Sequence, residues 1–360
     1  MLKNNKHLPR ISYIFNGKLF PYPNYAGTER MVVWELEWLA QNGYKVNVII
    51  PYKNHSSFLV PEIIRLNHKI ITFEEKLLMS FWEDAIECAE KLDSELILTR
   101  GGAIESKYFN DCNIPTIMTV DGCMILNDDV DYFFAPHSNF KFRFLSQTHF
   151  NYCTRGIKAS QDSSFWVYHG LPDSCFLQPN KAQIENERLS LAHLQSFKWG
   201  VVLKGLIDFC TLAQNNPQHT FLAFGCGDDE IGYGLKRFGV QCPNFNFLGM
   251  LDNETKPTTF ANVGGFFMGT VSPYQEPFGL TQIEAMACGC PVFYLRKNHG
   301  NNGTISEIQS IDVGAPISLI SENGKDLEKL LDIDRRDVYG VAREYFQIGD
   351  MMRGIVNKFN

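Results

Sequence analysis

The stretch from residue 271 to residue 291, VSPYQEPFGLTQIEAMACGCP, sets two glutamates, Glu276 and Glu284, with seven residues between them, among closely spaced breaks in regular structure. Pro277 and Gly279 interrupt the chain just before an apolar run that fits a helix, and Gly289 and Pro291 stop that helix. Val292-Phe293-Tyr294-Leu295 then reads as a strand, so the stretch reads loop, helix, strand. A glycine loop opening onto a helix N-terminus presents backbone N–H groups and a partial positive charge, a setting for phosphate. Glu284 falls about one turn into the helix. A carboxylate there would repel a phosphate but could accept hydrogen bonds from a sugar diol. The spacing alone leaves a solvated surface glutamate equally open.

The pattern E-P-F-G-L-x-x-x-E-A-M-A-C-G-x-P-V resembles the E-x7-E signature of the retaining glycosyltransferases of family 4, which have the GT-B fold. The resemblance implies that the amides of Phe278, Gly279 and Leu280 hold a donor diphosphate. It implies that Glu284 binds the ribose and that Glu276 lies by the donor sugar.

The chain has 360 residues, a length that suits two domains, and is 44% hydrophobic and 20% charged, as globular proteins with substantial cores are. A net charge of −7 argues against nucleic acid as a partner and against broad electrostatic docking on an anionic membrane, while leaving a peripheral contact open. The ten cysteines form no C-x-x-C pair, which disfavours zinc and redox motifs and fits a reducing cytoplasm. MLKNNKHLPR is not followed by an apolar core of signal-peptide length, and no apolar run is long enough to span a bilayer.

Ile11 to Phe15 reads as a buried strand, followed by a loop rich in Pro, Asn and Gly, a helix from Thr28 to Gln41 and a strand from Val46 to Ile50. This is a βαβ unit, and the loop after its first strand sits at the carboxyl edge of the sheet, where α/β folds bind ligands. Ala26-Gly27-Thr28-Glu29-Arg30 takes the place of the family's loop of two small residues, which implies that Gly27 approaches donor phosphates or acceptor. Glu95 to Thr99 and Ile114 to Val120 are further strands, the first ending at Arg100-Gly101-Gly102 and the second at Asp121-Gly122. The family has a histidine close to the donor sugar after this second strand; Asp121 stands there instead, able to accept from a sugar hydroxyl but anionic beside a diphosphate, so that either the donor differs, or the residue points elsewhere, or the chemistry is impaired. Asp129-Val130-Asp131 imitates a metal-binding D-x-D, but it precedes a strand-like run, Tyr132 to Ala135, and is read as loop. Phe140 to Phe150 is read as a core helix, with an acceptor-touching patch as the alternative.

Phe165 to Pro172 resembles the strand and turn at the family's domain junction, and Pro172 to Asn186 reads as a linker. Leu189 to Leu194 reads as the first strand of a second α/β domain. His193 stands where the family has an arginine and Lys198 where it has a lysine, both implied to serve the donor diphosphate; Lys204, before Gly205, is the alternative lysine. Leu206 to Ala213 is helical in pattern. Thr220 to Gly227 resembles a strand ending in G-x-G beside the nucleotide, where Gly225 lets the backbone approach a ligand. Asn244 to Gly249 and Gly264 to Met268 read as strands. Asn298 to Glu307 resembles a small-residue loop with a glutamate, where Ser306 and Glu307 would cap a helix; Tyr345 to Met352 resembles the family's terminal crossing helix.

The expectation is an α/β protein of the GT-B fold: two Rossmann-like domains facing a cleft, residues 1–172 on the acceptor side and 173–344 holding the nucleotide sugar. Residues 345–360 would form a helix crossing back to the first domain. The implied activity is metal-independent transfer of a hexose, with retention, from a nucleoside-diphosphate sugar to a hydroxyl of a glycan or lipid-linked acceptor, in polysaccharide biosynthesis. No cofactor is implied beyond the donor substrate, no metal ligand is assigned, and the location implied is cytoplasmic or peripheral at a membrane. A non-catalytic nucleotide-sugar-binding protein and a nucleotide-sugar epimerase of the same fold are the alternatives, the first kept open by Asp121 and His193.

Overall fold

The computed structural model describes residues 8–16, 27–51, 69–73, 78–121, 135–154, 158–179, 190–194, 204–225, 230–269, 276–297, 303–311 and 314–359. They fall into two compact units. The first holds those up to Asp121, those from Ala135 to Val167 and those from Met351 on; the second holds Tyr168 to Asp350.

The first unit alternates strand and helix: β1 (Ile11–Ile14), α1 (Gly27–Gln41), β2 (Val46–Pro51), β3 (Lys69–Phe73), α2 (Leu78–Lys91), β4 (Leu96–Arg100), α3 (Ala103–Ser106), β5 (Thr116–Thr119), β6 (Phe140–Phe144), α4 (Gln147–Thr154), α5 (Lys158–Asp162) and β7 (Ser164–Trp166). The strands form one parallel sheet in the order β3-β2-β1-β4-β5-β6-β7. β1, β4 and β5 are buried at every residue because crossover helices cover a parallel sheet on both faces. After β3 the chain returns to the far side of β1, so β1 and β4 flank the point where strand order reverses and where such sheets bind ligands.

Phe140 to Phe150 is not one helix. It is strand β6 followed by the start of α4, and the reason was in the letters: Phe140-Lys141-Phe142-Arg143-Phe144 alternates with period two. Its three phenylalanines continue a chain of edge contacts from Trp82 through Phe109, with ring centroids 5.0–6.4 Å apart.

Arg143, on the other face of β6, is fully buried and joins a network at the carboxyl ends of β4 and β5. Arg100 donates to Glu35 (2.6 Å), to Asp121 (2.5 Å) and to the Tyr13 hydroxyl (3.0 Å), and Tyr13 in turn donates to Glu35 (2.5 Å). Arg143 lies 3.5 Å from Glu35. Two guanidinium groups therefore face two carboxylates. Burial alone would lower the Arg100 pKa, but Asp121 and Glu35 outweigh it and hold it above its ordinary value. Arg143, with burial less well offset by Glu35 and with Arg100 nearby, is lowered to about 10.

The second unit contains β8 (Ser190–Leu194), α6 (Leu206–Asn215), β9 (Thr220–Phe224), α7 (Glu230–Gln241), β10 (Phe245–Gly249), α8 (Lys256–Ala261), β11 (Gly265–Phe267), α9 (Leu280–Met286), β12 (Val292–Leu295), α10 (Gly303–Ser310), β13 (Ser318–Ser321), α11 (Arg335–Tyr345) and the start of α12 (Ile348–Val356). Only the first turn of α12 belongs to this unit; from Met351 on it belongs to the first. The strands of the second unit form a second parallel sheet, ordered β10-β9-β8-β11-β12-β13, with strand order reversing between β8 and β11. Phe260, Phe266, Met268, Ala285, Cys288 and Cys290 share its core. The buried Arg335 guanidinium donates to the carbonyls of Phe260 (3.2 Å), Ala261 (2.9 Å) and Val263 (2.6 Å), and to that of Cys288 at 3.5 Å. They cluster at the C-terminal end of α8, whose last carbonyls have no partner within the helix, and at Cys288, two residues beyond the end of α9. The end of α12 returns to the first unit, where Lys358 lies over the Phe165 ring (4.5 Å). Among the described residues no helix is long and apolar enough to cross a membrane.

Two stability predictions follow from these arginines. Arg335→Leu strands a set of buried carbonyls and is expected to cost about 3 kcal/mol in equilibrium urea unfolding, with Arg335→Lys recovering only part of it. Arg100→Met leaves Glu35 and Asp121 without their shared cation and is expected to cost about 3–5 kcal/mol at pH 7, part of which a second change, Glu35→Gln, restores. Equal stability of Arg100→Met with and without Glu35→Gln would disprove the pairing.

Candidate active site

The glutamate stretch folds at the carboxyl edge of the second sheet, where the chain leaves β11. Glu276 is buried, at 7% exposure, and Lys204 reaches its carboxylate at 3.0 Å. Lys204 stands just before Gly205, which caps α6 with φ of +78°. A β-carbon at Gly205 would sit 2.6 Å from the Cα of Gly269, so only glycine lets the α6 turn press against the end of β11. This close approach seats Lys204 beside Glu276. Lys198, named from the sequence as the diphosphate lysine, lies outside the described residues. His193 is on β8, paired with Ala223, and its side chain is likewise outside what is described.

Phe278 is buried and stacks on Tyr168, with centroids 5.3 Å apart and planes at 19°, while the edges of Phe346 and His169 close around it. Tyr168 is held in turn by Glu307, to which its hydroxyl donates at 2.6 Å. Burial and that hydrogen bond push the Tyr168 pKa well above its ordinary value. Glu307 is thus no helix cap: it lies inside α10, is buried, and anchors the ring beneath the loop. Gly279, with extended backbone, immediately precedes α9, and Leu280 is its first residue.

α9 is buried along its length, which overturns the reading of Glu284 as a solvated surface glutamate. Glu284 is 3% exposed, and Lys256, the first residue of α8, lies 3.4 Å from both of its oxygens. Lys256 also donates to Asn253 at 3.0 Å. Nothing in the sequence had singled out Lys256; its one signal was a lysine opening a short helix at a proline, Lys256-Pro257. The thiols of Cys288 and Cys290 beyond α9 are pushed up to about 12 by burial, so they are packing groups and not nucleophiles.

Gly225 follows β9 with φ of +104°, and its N–H donates to Gly249, itself at positive φ, closing the ends of β9 and β10 together. In the first unit, Gly27 opens α1, where Glu29 and Arg30 are buried and the Arg30 guanidinium lies over Trp34 at 5.4 Å. Asp121 follows β5 with its carboxylate on Arg100. Sequence reasoning placed Arg100 at a strand end but did not see the network that makes Asp121 a fixed and charge-balanced group. The D-x-D aspartates Asp129 and Asp131 lie outside the described residues. Among the described residues no group of three or more His, Cys, Asp or Glu side chains is placed to hold a metal ion.

The second unit thus carries the Glu276–Lys204 and Glu284–Lys256 pairs, with Phe278, Gly279 and Leu280 between the two glutamates, on segments that follow β8, β10 and β11. Chemically this is two cations and two buried carboxylates beside the loop that opens α9. It can hold an anion and hydrogen-bond hydroxyls.

No protein-family model and no curated protein matches the sequence. Solved structures match across nearly the whole chain. HepE of Anabaena, in complex with UDP-glucose, aligns with a TM-score of 0.70 at 13% identity, covering 97% of this chain and 99% of that one. A glycosyltransferase from Rickettsia africae aligns at 0.71 and 13% identity, covering 98% and 100%. The catalytic domain of starch synthase IV from Arabidopsis thaliana, bound to ADP and acarbose, aligns at 0.61 and 12% identity, covering 97% and 100%. Likeness at these identities establishes architecture, and the architecture of this chain is the GT-B fold.

Proposed function

We propose that this protein is a retaining glycosyltransferase that moves a sugar from a nucleoside-diphosphate sugar to a hydroxyl of a glycan or lipid-linked acceptor. The observation that carries the reading is the burial of Glu276 and Glu284 at the strand-order reversal of the second sheet, each against a lysine. Solvated surface glutamates have no need of such pairing. The reading is supported by the shared fold with HepE, whose structure holds UDP-glucose, and with starch synthase IV, whose structure holds ADP.

In this reading Lys204, with the amides of Phe278, Gly279 and Leu280, takes the donor diphosphate, Lys204 filling the role that the sequence pattern assigned to Lys198. Gly225 gives the nucleotide a close backbone approach, and Glu284 accepts from the ribose. Glu276 faces the donor sugar. In the first unit, taken by itself, Asp121 beside Arg100 is assigned as an acceptor for a sugar hydroxyl, and Gly27 as a close backbone approach for phosphate or acceptor. The chemistry is departure of the diphosphate. Positive charge set in advance around it lowers the barrier, and the leaving phosphate assists deprotonation of the incoming hydroxyl. Lys204 supplies that charge without a metal ion. The pairing of Asp121 with Arg100, where the resembled family has a histidine, favours one second reading, a protein that binds a nucleotide sugar without turning it over.

The deciding experiment is a metal-free thermal-shift screen against UDP, GDP, ADP, dTDP, CMP and their common sugars, followed by donor hydrolysis by the wild type and two variants. One nucleotide should raise the melting temperature of the wild type and not that of Glu284→Ala. Glu276→Gln should keep nucleotide affinity within about twofold while turnover falls about 100-fold or more, as when one stabilising group of a transition state is removed. Undiminished turnover in Glu276→Gln would overturn its role. Nucleotide binding with no turnover in the wild type would select the second reading.

A further inference from the structure

Two ionisable groups in the second unit have left water almost completely. The Lys256 side chain is 7% exposed and that of Glu284 is 4% exposed. Dehydrating either charge alone is costly, and removing one partner of such a pair leaves the other stranded. The geometry of this pair is specific. Nζ of Lys256 is 3.4 Å from Oε1 and 3.4 Å from Oε2, so it straddles the carboxylate and does not favour one oxygen. Asn253 Oδ1 holds the same nitrogen at 3.0 Å. The two side chains come from the N-terminal residue of α8 and from the middle of α9, and Arg335 ties the other end of α8 to Cys288 in the turn after α9. The carboxylate plane is therefore fixed by a cation that is itself fixed.

Resting on the donor-site reading above, we infer that Lys256 is the positioning residue that makes Glu284 a selector of ribose. An ionised carboxylate offers about four lone-pair sites, so a cation straddling both oxygens still leaves acceptor capacity on each for hydroxyl groups. Without Lys256, Glu284 is a desolvated anion close to a diphosphate. It then takes up a proton or turns away, and a protonated carboxyl no longer presents two acceptors to a vicinal diol. Lys256 touches no substrate in this scheme; it acts through Glu284, setting its charge and orientation.

The test compares binding of UDP, or whichever nucleoside diphosphate shifts the protein in the screen above, with binding of its 2′,3′-dideoxy counterpart by calorimetry. The wild type should prefer the ribo form. Glu284→Gln should lose about tenfold of that preference, the value of one hydrogen bond to a charged group. Lys256→Met should lose a similar share, Lys256→Arg should keep it because a guanidinium also donates to both oxygens, and the double variant should lose no more than either single one. A purely structural lysine would change stability and overall affinity without changing the ratio of the two ligands. Should Lys256→Met fail to fold, Lys256→Gln and the double variant, which buries no unpaired charge, supply the same comparison. Wild-type preference in the Lys256 variant alongside its loss in Glu284→Gln overturns the inference and leaves the site reading standing. Wild-type preference in Glu284→Gln overturns the ribose role itself, and the inference with it.

Discussion

One guanidinium holds together the second unit's candidate site. Arg335 comes from late in the chain, yet its donors end on carbonyls of α8, of the turn into β11 and of Cys288 in the turn after α9. Short helices leave a large share of their backbone carbonyls without internal partners. α8 is short, and a buried end without partners would not survive in a packed core. A single planar cation satisfies several of these acceptors at once, and its positive charge suits the negative end of the α8 dipole. Gly289 allows this: at φ of +69° it brings the chain against the Arg335 backbone, where a β-carbon would be 2.8 Å from its carbonyl oxygen. The placement of Glu284 and Lys256 then follows from helix ends that cannot drift apart.

The same logic of charge balance runs through both units. Every carboxylate singled out as a candidate ligand has a cation on it: Asp121 has Arg100, Glu276 has Lys204 and Glu284 has Lys256. A site meant to receive a multiply charged anion gains from this, because bare carboxylates at the sheet edge would repel it. The arrangement also costs stability, since paired charges in a core seldom outdo apolar packing of the same shape. Arg143, with its pKa drawn down by burial, shows that cost most openly.

The fold was legible in the sequence because its signals are local. Short apolar runs ending in glycine or acidic turns marked β1, β4, β5, β9, β11 and β12 to within a residue or two, and period 3.6 marked α1 and α6. Where one local signal masked another the reading failed: aromatic density between Phe140 and Phe150 suggested a helix, although the alternation with Lys141 and Arg143 was that of a strand. Ser306 and Glu307 suggested a cap because acidic residues near a helix start commonly are caps, whereas Glu307 answers to Tyr168, distant in sequence. The cations were the least legible part. Lys256, Arg100 and Arg335 look like surface charges in one dimension, and only the meeting of separate loops takes them out of water. The reach of Lys204 has the same origin, because it is set by the turn that carries the lysine, and that turn is defined by Gly205.

Gly205 also bears on how such a protein could be altered. Its contact with Gly269 is backbone against backbone, with no side chain on either partner that could move aside. Any other residue at Gly205 must push the start of α6 off the end of β11, and Lys204 away from Glu276 with it. Libraries that seek new ligand preferences should therefore keep Gly205 invariant. Their diversity belongs on surfaces with room to spare, such as the outer face of α7, where Tyr233 and Val240 stand in solvent. For this architecture a limit on redesign lies in a position with no side chain at all.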